Sequence, residues 1–72
     1  MFNLYEVVFN LCYLDAHGKI WMTTSREGNV VAKNEREAKR AFYLANKDNL
    51  HGFDKIQKSQ AFMIKSDILI GV

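Results

Sequence analysis

The chain has one cysteine, no proline, four glycines and two histidines among 72 residues. Each shortage removes an explanation. A lone Cys12 cannot form a disulfide within the chain, and a single thiol fits a reducing, cytoplasmic setting better than secretion. A structural zinc site is not expected, because Cys12, His17 and His51 lack the close spacing of a zinc knuckle or finger. Without proline there is no Pro-rich linker. Gly18, Gly28, Gly52 and Gly71 stand alone, so no glycine-rich loop between strand and helix is present to cradle phosphates. Charge of one sign is also scarce: ten basic against eight acidic residues leave +2, too little for a strong field over the whole molecule.

The apolar runs are short. Met1 to Leu14 lacks a basic start and is interrupted by Glu6, unlike a signal peptide. It also falls short of the ~20 residues needed to cross a membrane. The expectation is a single domain over residues 1–72, soluble and unprocessed. With 49% hydrophobic and 25% charged residues, the composition is that of a folded globule. A domain this small buries only about 60% of its unfolded surface. With disulfides and metal set aside, packing or a partner must stabilise it.

Leu4 to Leu14 reads as a strand rich in β-branched, aromatic and aliphatic residues. Its odd face carries Tyr5, Val7, Phe9, Leu11 and Tyr13, and its even face is mixed. Strand side chains alternate between faces, so the odd face is the expected core face. Asp15-Ala16-His17-Gly18 has turn chemistry, and Lys19 to Ser25 returns as the second strand of an antiparallel hairpin. Arg26 to Asn29 is expected to form a bulge or wide bend, with Val30 to Ala32 resuming the extended pattern.

Asn34 is a favoured N-cap, and Glu37 is placed to complete a capping box. Ala38, Ala41, Phe42 and Ala45 then follow the spacing of one apolar helix stripe. The helix should fade around Lys47 to Asn49. A loop from Leu50 to Asp54 should tuck Leu50 or Phe53 under the helix end. Lys55 to Lys65 is expected as the closing strand, with Ile56, Phe62 and Ile64 on one face and regular pairing from about Gln60. Asp67 to Val72 is a possible further strand or an apolar tail. The fold class is therefore α+β: an antiparallel sheet of three to four strands in ββαβ order, with one helix packed on one face.

No catalytic constellation is visible. Cys12 lies in a strand, far in sequence from either histidine, and reads as an apolar filler. His17 and His51 read as solvated turn and loop residues. No carboxylate pair suggests acid–base work. The chain is expected to be neither an enzyme nor a cofactor binder.

Two surface features suggest a partner. At about 100° per residue, Arg36, Arg40, Tyr43 and Lys47 fall within about 60° of one another, opposite the alanine stripe, with Lys39 beside them. This face suits an acidic protein surface or, with Tyr43 stacking on a base, nucleic acid. A plain solvated helix back would look the same. The second feature is Trp21. The size of the domain favours Trp21 in the core; exposed, it would mark a partner site.

The hairpin, the capped helix beginning Asn34-Glu35-Arg36-Glu37-Ala38 and the closing strand, from Tyr5 to Lys65, resemble small phage-encoded proteins. These bind and disable a host or defence complex, among them RNA polymerase inhibitors and some anti-CRISPR proteins. The resemblance lies in element order and implies steric protein binding; it assigns no residue a role. The slightly basic balance departs from the acidic DNA-mimicking members. The leading expectation is a non-enzymatic protein-binding module. Nucleic-acid binding through the helix face is the alternative, and self-assembly into a homodimer through a sheet edge or the C-terminal tail is a third reading.

Overall fold

A computed structural model describes residues 1–50, 53 and 55–68, with only the backbone for Asn49. The first strand, β1 (Phe2–Leu14), is flanked on both sides: β2 (Ile20–Ala32) and β3 (Lys55–Ile68) each pair with it antiparallel, giving the sheet order β2-β1-β3. The helix α1 (Glu35–Leu50) lies between β2 and β3 in the chain. Three strands and one helix in ββαβ order make the α+β fold expected from the sequence. Of the terminal segment expected from Asp67 to Val72, Asp67 and Ile68 belong to β3, and residues 69–72 lie outside the described residues.

The hairpin turn follows from Asp15. Its carboxylate accepts the N–H groups of His17 (2.8 Å) and Lys19 (2.9 Å). Its own N–H donates to the Lys19 carbonyl (2.7 Å). Gly18 completes the reversal at φ 78°, where a side chain would be strained.

Because β2 and β3 are both antiparallel to β1, they run in the same direction. The chain leaving β2 must therefore return along the sheet before β3 can begin, and α1 makes that return. Asn34 starts it: its side-chain oxygen accepts the Glu37 N–H (2.9 Å), and its carbonyl accepts the Ala38 N–H (3.0 Å). This is the cap expected from the sequence. The reciprocal bond from the Glu37 carboxylate is absent among the described residues.

The core is the odd face of β1 under this helix. Tyr5, Val7, Phe9 and Leu11 are buried there with Ala32, Ala38, Phe42, Leu50 and Ala61. Phe42 meets Phe9 edge-on, with ring centroids 5.0 Å apart. Its other neighbour is Gly28, which pairs with Val7 in the middle of the sheet. A Cβ on Gly28 would lie 2.8 Å from the Phe42 ring. The glycine is thus a notch that lets the ring reach the backbone.

Asn3 joins three elements at the far end of β1. It accepts the Asp67 N–H of β3 (3.1 Å) and donates to the Tyr5 hydroxyl (3.3 Å) and to the Lys33 carbonyl between β2 and α1 (3.5 Å).

Several expectations need correction. No bulge occurs at Arg26 to Asn29; pairing with β1 is unbroken from Met22 to Ala32, and the irregularity sits at Trp21. Gly28 suggested a break, but it serves the packing of Phe42. Ile56 and Phe62 do not share a face. Ile56 pairs with Leu11 of the covered face and Phe62 with Glu6 of the open face, because an extra residue at Gln57 reverses the alternation between them. Ile64 is itself the extra residue between Met63 and Lys65. The strand also begins to pair at Lys55 and runs on to Ile68, beyond the Lys65 end expected. Ala45 is exposed: the buried helix face centres on Ala38 and Phe42 and turns toward Leu50, and the helix outruns its expected end by about a residue.

The Gly28 notch is testable by urea unfolding. Gly28→Ala should lower stability by about 1–3 kcal/mol, the usual range for overpacking. The double variant with Phe42→Leu should lose less than the two single changes together, since the residues touch. An unchanged midpoint for Gly28→Ala would contradict the packing described.

Candidate partner-binding site

Strand and helix lengths do not match. A strand of 13 residues extends about 43 Å at 3.3 Å per residue, and a helix of 16 residues spans only about 24 Å. The helix starts beside Ala32 and ends near Leu11, so it covers the core end of the sheet and stops short of the hairpin. Tyr13 continues the inward face beyond that limit and needs another cover.

Phe53 supplies it from the α1–β3 connection. Its ring lies 4.7 Å from that of Tyr13, and Tyr13 also stacks with Trp21 at 5.6 Å and 27°. The Arg26 guanidinium sits 5.4 Å from the Phe53 centroid, within the range of a cation–π contact. The sequence suggested Leu50 or Phe53 from a loop under the helix end; Leu50 is instead the last residue of α1 and is buried in the core, and Phe53 is half-buried against that core. His51, Gly52 and Asp54 lie outside the described residues.

Trp21 is 63% exposed. The expectation that favoured it in the core is overturned. It occupies the irregular position between Tyr13 and Leu14 of β1, past the reach of the helix, with the Tyr13 ring beneath it.

The helix back is exposed at Arg36, Arg40, Tyr43 and Lys47, while Lys39 is half-buried. The structure divides these residues. Tyr43 and Lys47 border a groove of about 450 Å³, lined also by Leu11, Asp48, Leu50, Phe53, Lys55 and Ile56. Arg36, Lys39 and Arg40 surround the capped start of the helix, where the surface depressions are separate. Phe53 is the link: it walls the groove that Tyr43 borders and carries the Tyr13–Trp21 stack. Tyr43 and Lys47 of the helix face and Trp21 thus belong to one strip on the helix side, Tyr43–Phe53–Tyr13–Trp21, with Lys47 and Arg26 along it.

Sequence reasoning missed Arg26, Phe53 and Ile56 as parts of this strip. A signal was available in Tyr13, an aromatic residue on the core face one step beyond the helix. Cys12 is fully buried, its Sγ 3.8 Å from the Lys55 carbonyl, in keeping with a filler. Among the described residues no three His, Cys, Asp or Glu side chains cluster as metal ligands would, and no helix is long and apolar enough to cross a membrane. Comparisons with protein-family models, curated proteins and solved structures find no match.

Trp21 is the chain's sole tryptophan, so its environment can be read directly. Its fluorescence should resemble that of a water-exposed indole and be readily quenched by acrylamide. A blue-shifted, quencher-resistant emission from the isolated monomer would place Trp21 in a core and break the strip apart.

Proposed function

We propose that this chain is a non-enzymatic protein-binding module whose contact surface is the helix side. One observation carries the reading: a largely exposed tryptophan is continuous, through Tyr13 and Phe53, with a cation-edged groove at the helix end. Tryptophan, tyrosine and arginine are the residue types that dominate binding energy at interfaces, and their ring contacts hold the anchors in place before binding, which lowers the entropy lost on association. Among the described residues, Lys47 and Arg26 outnumber Asp48 along the strip. The partner that fits presents an apolar anchor flanked by carboxylates. Arg36, Arg40 and Lys39 extend the positive surface along the helix. The mechanism is steric occupation of a partner surface, and the element order supports an accessory role like that of small phage-encoded modulators.

A second reading rests on Arg36, Arg40 and Lys47, which engage no ion pair among the described residues. Such free cations beside Tyr43 also suit a nucleic-acid backbone with one stacked base.

A pull-down from host-cell lysate, with and without nuclease, separates the two. A partner retained after nuclease is then titrated with variants. Trp21→Ala and Lys47→Glu should each weaken binding at least tenfold, equivalent to about 1.4 kcal/mol, without changing the far-ultraviolet spectrum. Arg40→Glu should weaken it as well. Unchanged affinity in all three would remove the helix side as the contact surface. Nucleic-acid binding would instead lose affinity steeply with salt, by about 0.9 in log K per log salt for each duplex phosphate contacted.

A further inference from the structure

We propose that two copies of this chain pair through the outer edge of β2 and form one continuous six-stranded sheet. The two edges of the sheet are built differently. β3 is interrupted at three places along β1, and it carries Lys55, Lys58 and Lys65. Bulges and lysines are the usual means of discouraging further pairing at an edge. β2 has neither between Met22 and Ala32: its pairing with β1 is unbroken there, and its lysines, Lys19 and Lys33, lie outside the strand. It therefore offers an extended, regular edge.

The direction of its free backbone groups fixes the geometry. The Asp15–Lys19 bond starts the ladder, and antiparallel pairs alternate between bonded and non-bonded. Across the Trp21 irregularity this turns the even residues of β2 toward β1 and the odd ones outward. The Ser25 carbonyl agrees: it is met at 3.1 Å by the exposed guanidinium of Arg26, a contact the second strand would displace. Directly opposed residues in an antiparallel pair are either both outward-pointing or both not. Two β2 strands must then pair odd with odd, which sets the two-fold axis perpendicular to the sheet and both helices on the same side. Centring the pair on Arg26 or Glu27 opposes like charges, which is unfavourable. Centring it on Ser25 or Gly28 avoids both.

A second copy is favoured over an unrelated strand because the arrangement closes. Each copy uses its one unprotected edge, and the two bulged, lysine-bearing β3 strands become the outer edges of the dimer. Pairing would also bring the two helix sides to one face of the assembly, so that two contact strips point the same way.

Sedimentation equilibrium of the full chain from micromolar to millimolar concentration tests the proposal, together with amide hydrogen exchange. A monomer–dimer equilibrium is expected, with concentration-dependent protection of the Ser25, Glu27 and Asn29 amides. Asn29→Pro removes one outward N–H and leaves the β1 ladder intact, a position where an edge strand tolerates proline. It should give a folded monomer. If that variant unfolds, the exchange pattern of the unaltered chain decides. A monomer throughout the range overturns the proposal. So does a dimer that survives Asn29→Pro in a folded chain, or one whose protection falls on β3 or on the open sheet face.

Discussion

The contact between Phe42 and the bare backbone of Gly28 positions everything else. A three-stranded sheet with one helix has little material for a core, and a helix held at a distance would leave that core hollow. Ala38 lets the helix approach, Phe42 fills the space, and Gly28 receives the ring. Phe9 then closes on the ring edge. Once Phe42 is seated, the helix axis is fixed over the middle of β1, and so are its end near Leu11 and the part of the sheet it cannot reach. The exposed strip toward the hairpin is a consequence of that placement.

Much of this was legible in the sequence where a local rule acts alone. Alternation along β1 gave the core face because a strand buried on one side has few other ways to arrange Tyr5, Val7, Phe9 and Leu11. Asp15 and Gly18 marked the turn, and Asn34 marked the helix start, because each forms bonds within a few residues of itself. What remained hidden depended on distant partners. Gly28 looked like an interruption of β2 because the ring that requires it lies in the helix. The parity of β3 could not be read past Gln57, because a single extra residue exchanges the faces on either side of it. Ala45 matched the helix stripe in spacing, but the buried face turns from Phe42 toward Leu50 and leaves it exposed.

The candidate site was half legible for the same reason. Helix periodicity alone grouped Arg36, Arg40, Tyr43 and Lys47, and the structure leaves these residues on the solvent side. It could not join them to Trp21. That connection runs through Phe53, whose position is set by the short return from α1 to β3, and through Tyr13, which lies beyond the helix end. The even face of the sheet, mixed in the sequence, carries no helix among the described residues, and Phe62 there is 49% exposed.

The most direct test of this account is a nuclear Overhauser measurement on the aromatic protons of the chain in solution. It predicts cross-peaks from the Phe42 ring to the Gly28 α-protons, and from the Trp21 ring to Tyr13 but to no residue of the helix. Cross-peaks between Trp21 and Ala38 or Phe42, with none between Phe42 and Gly28, would mean that the helix sits elsewhere on the sheet, and the contact strip would not exist.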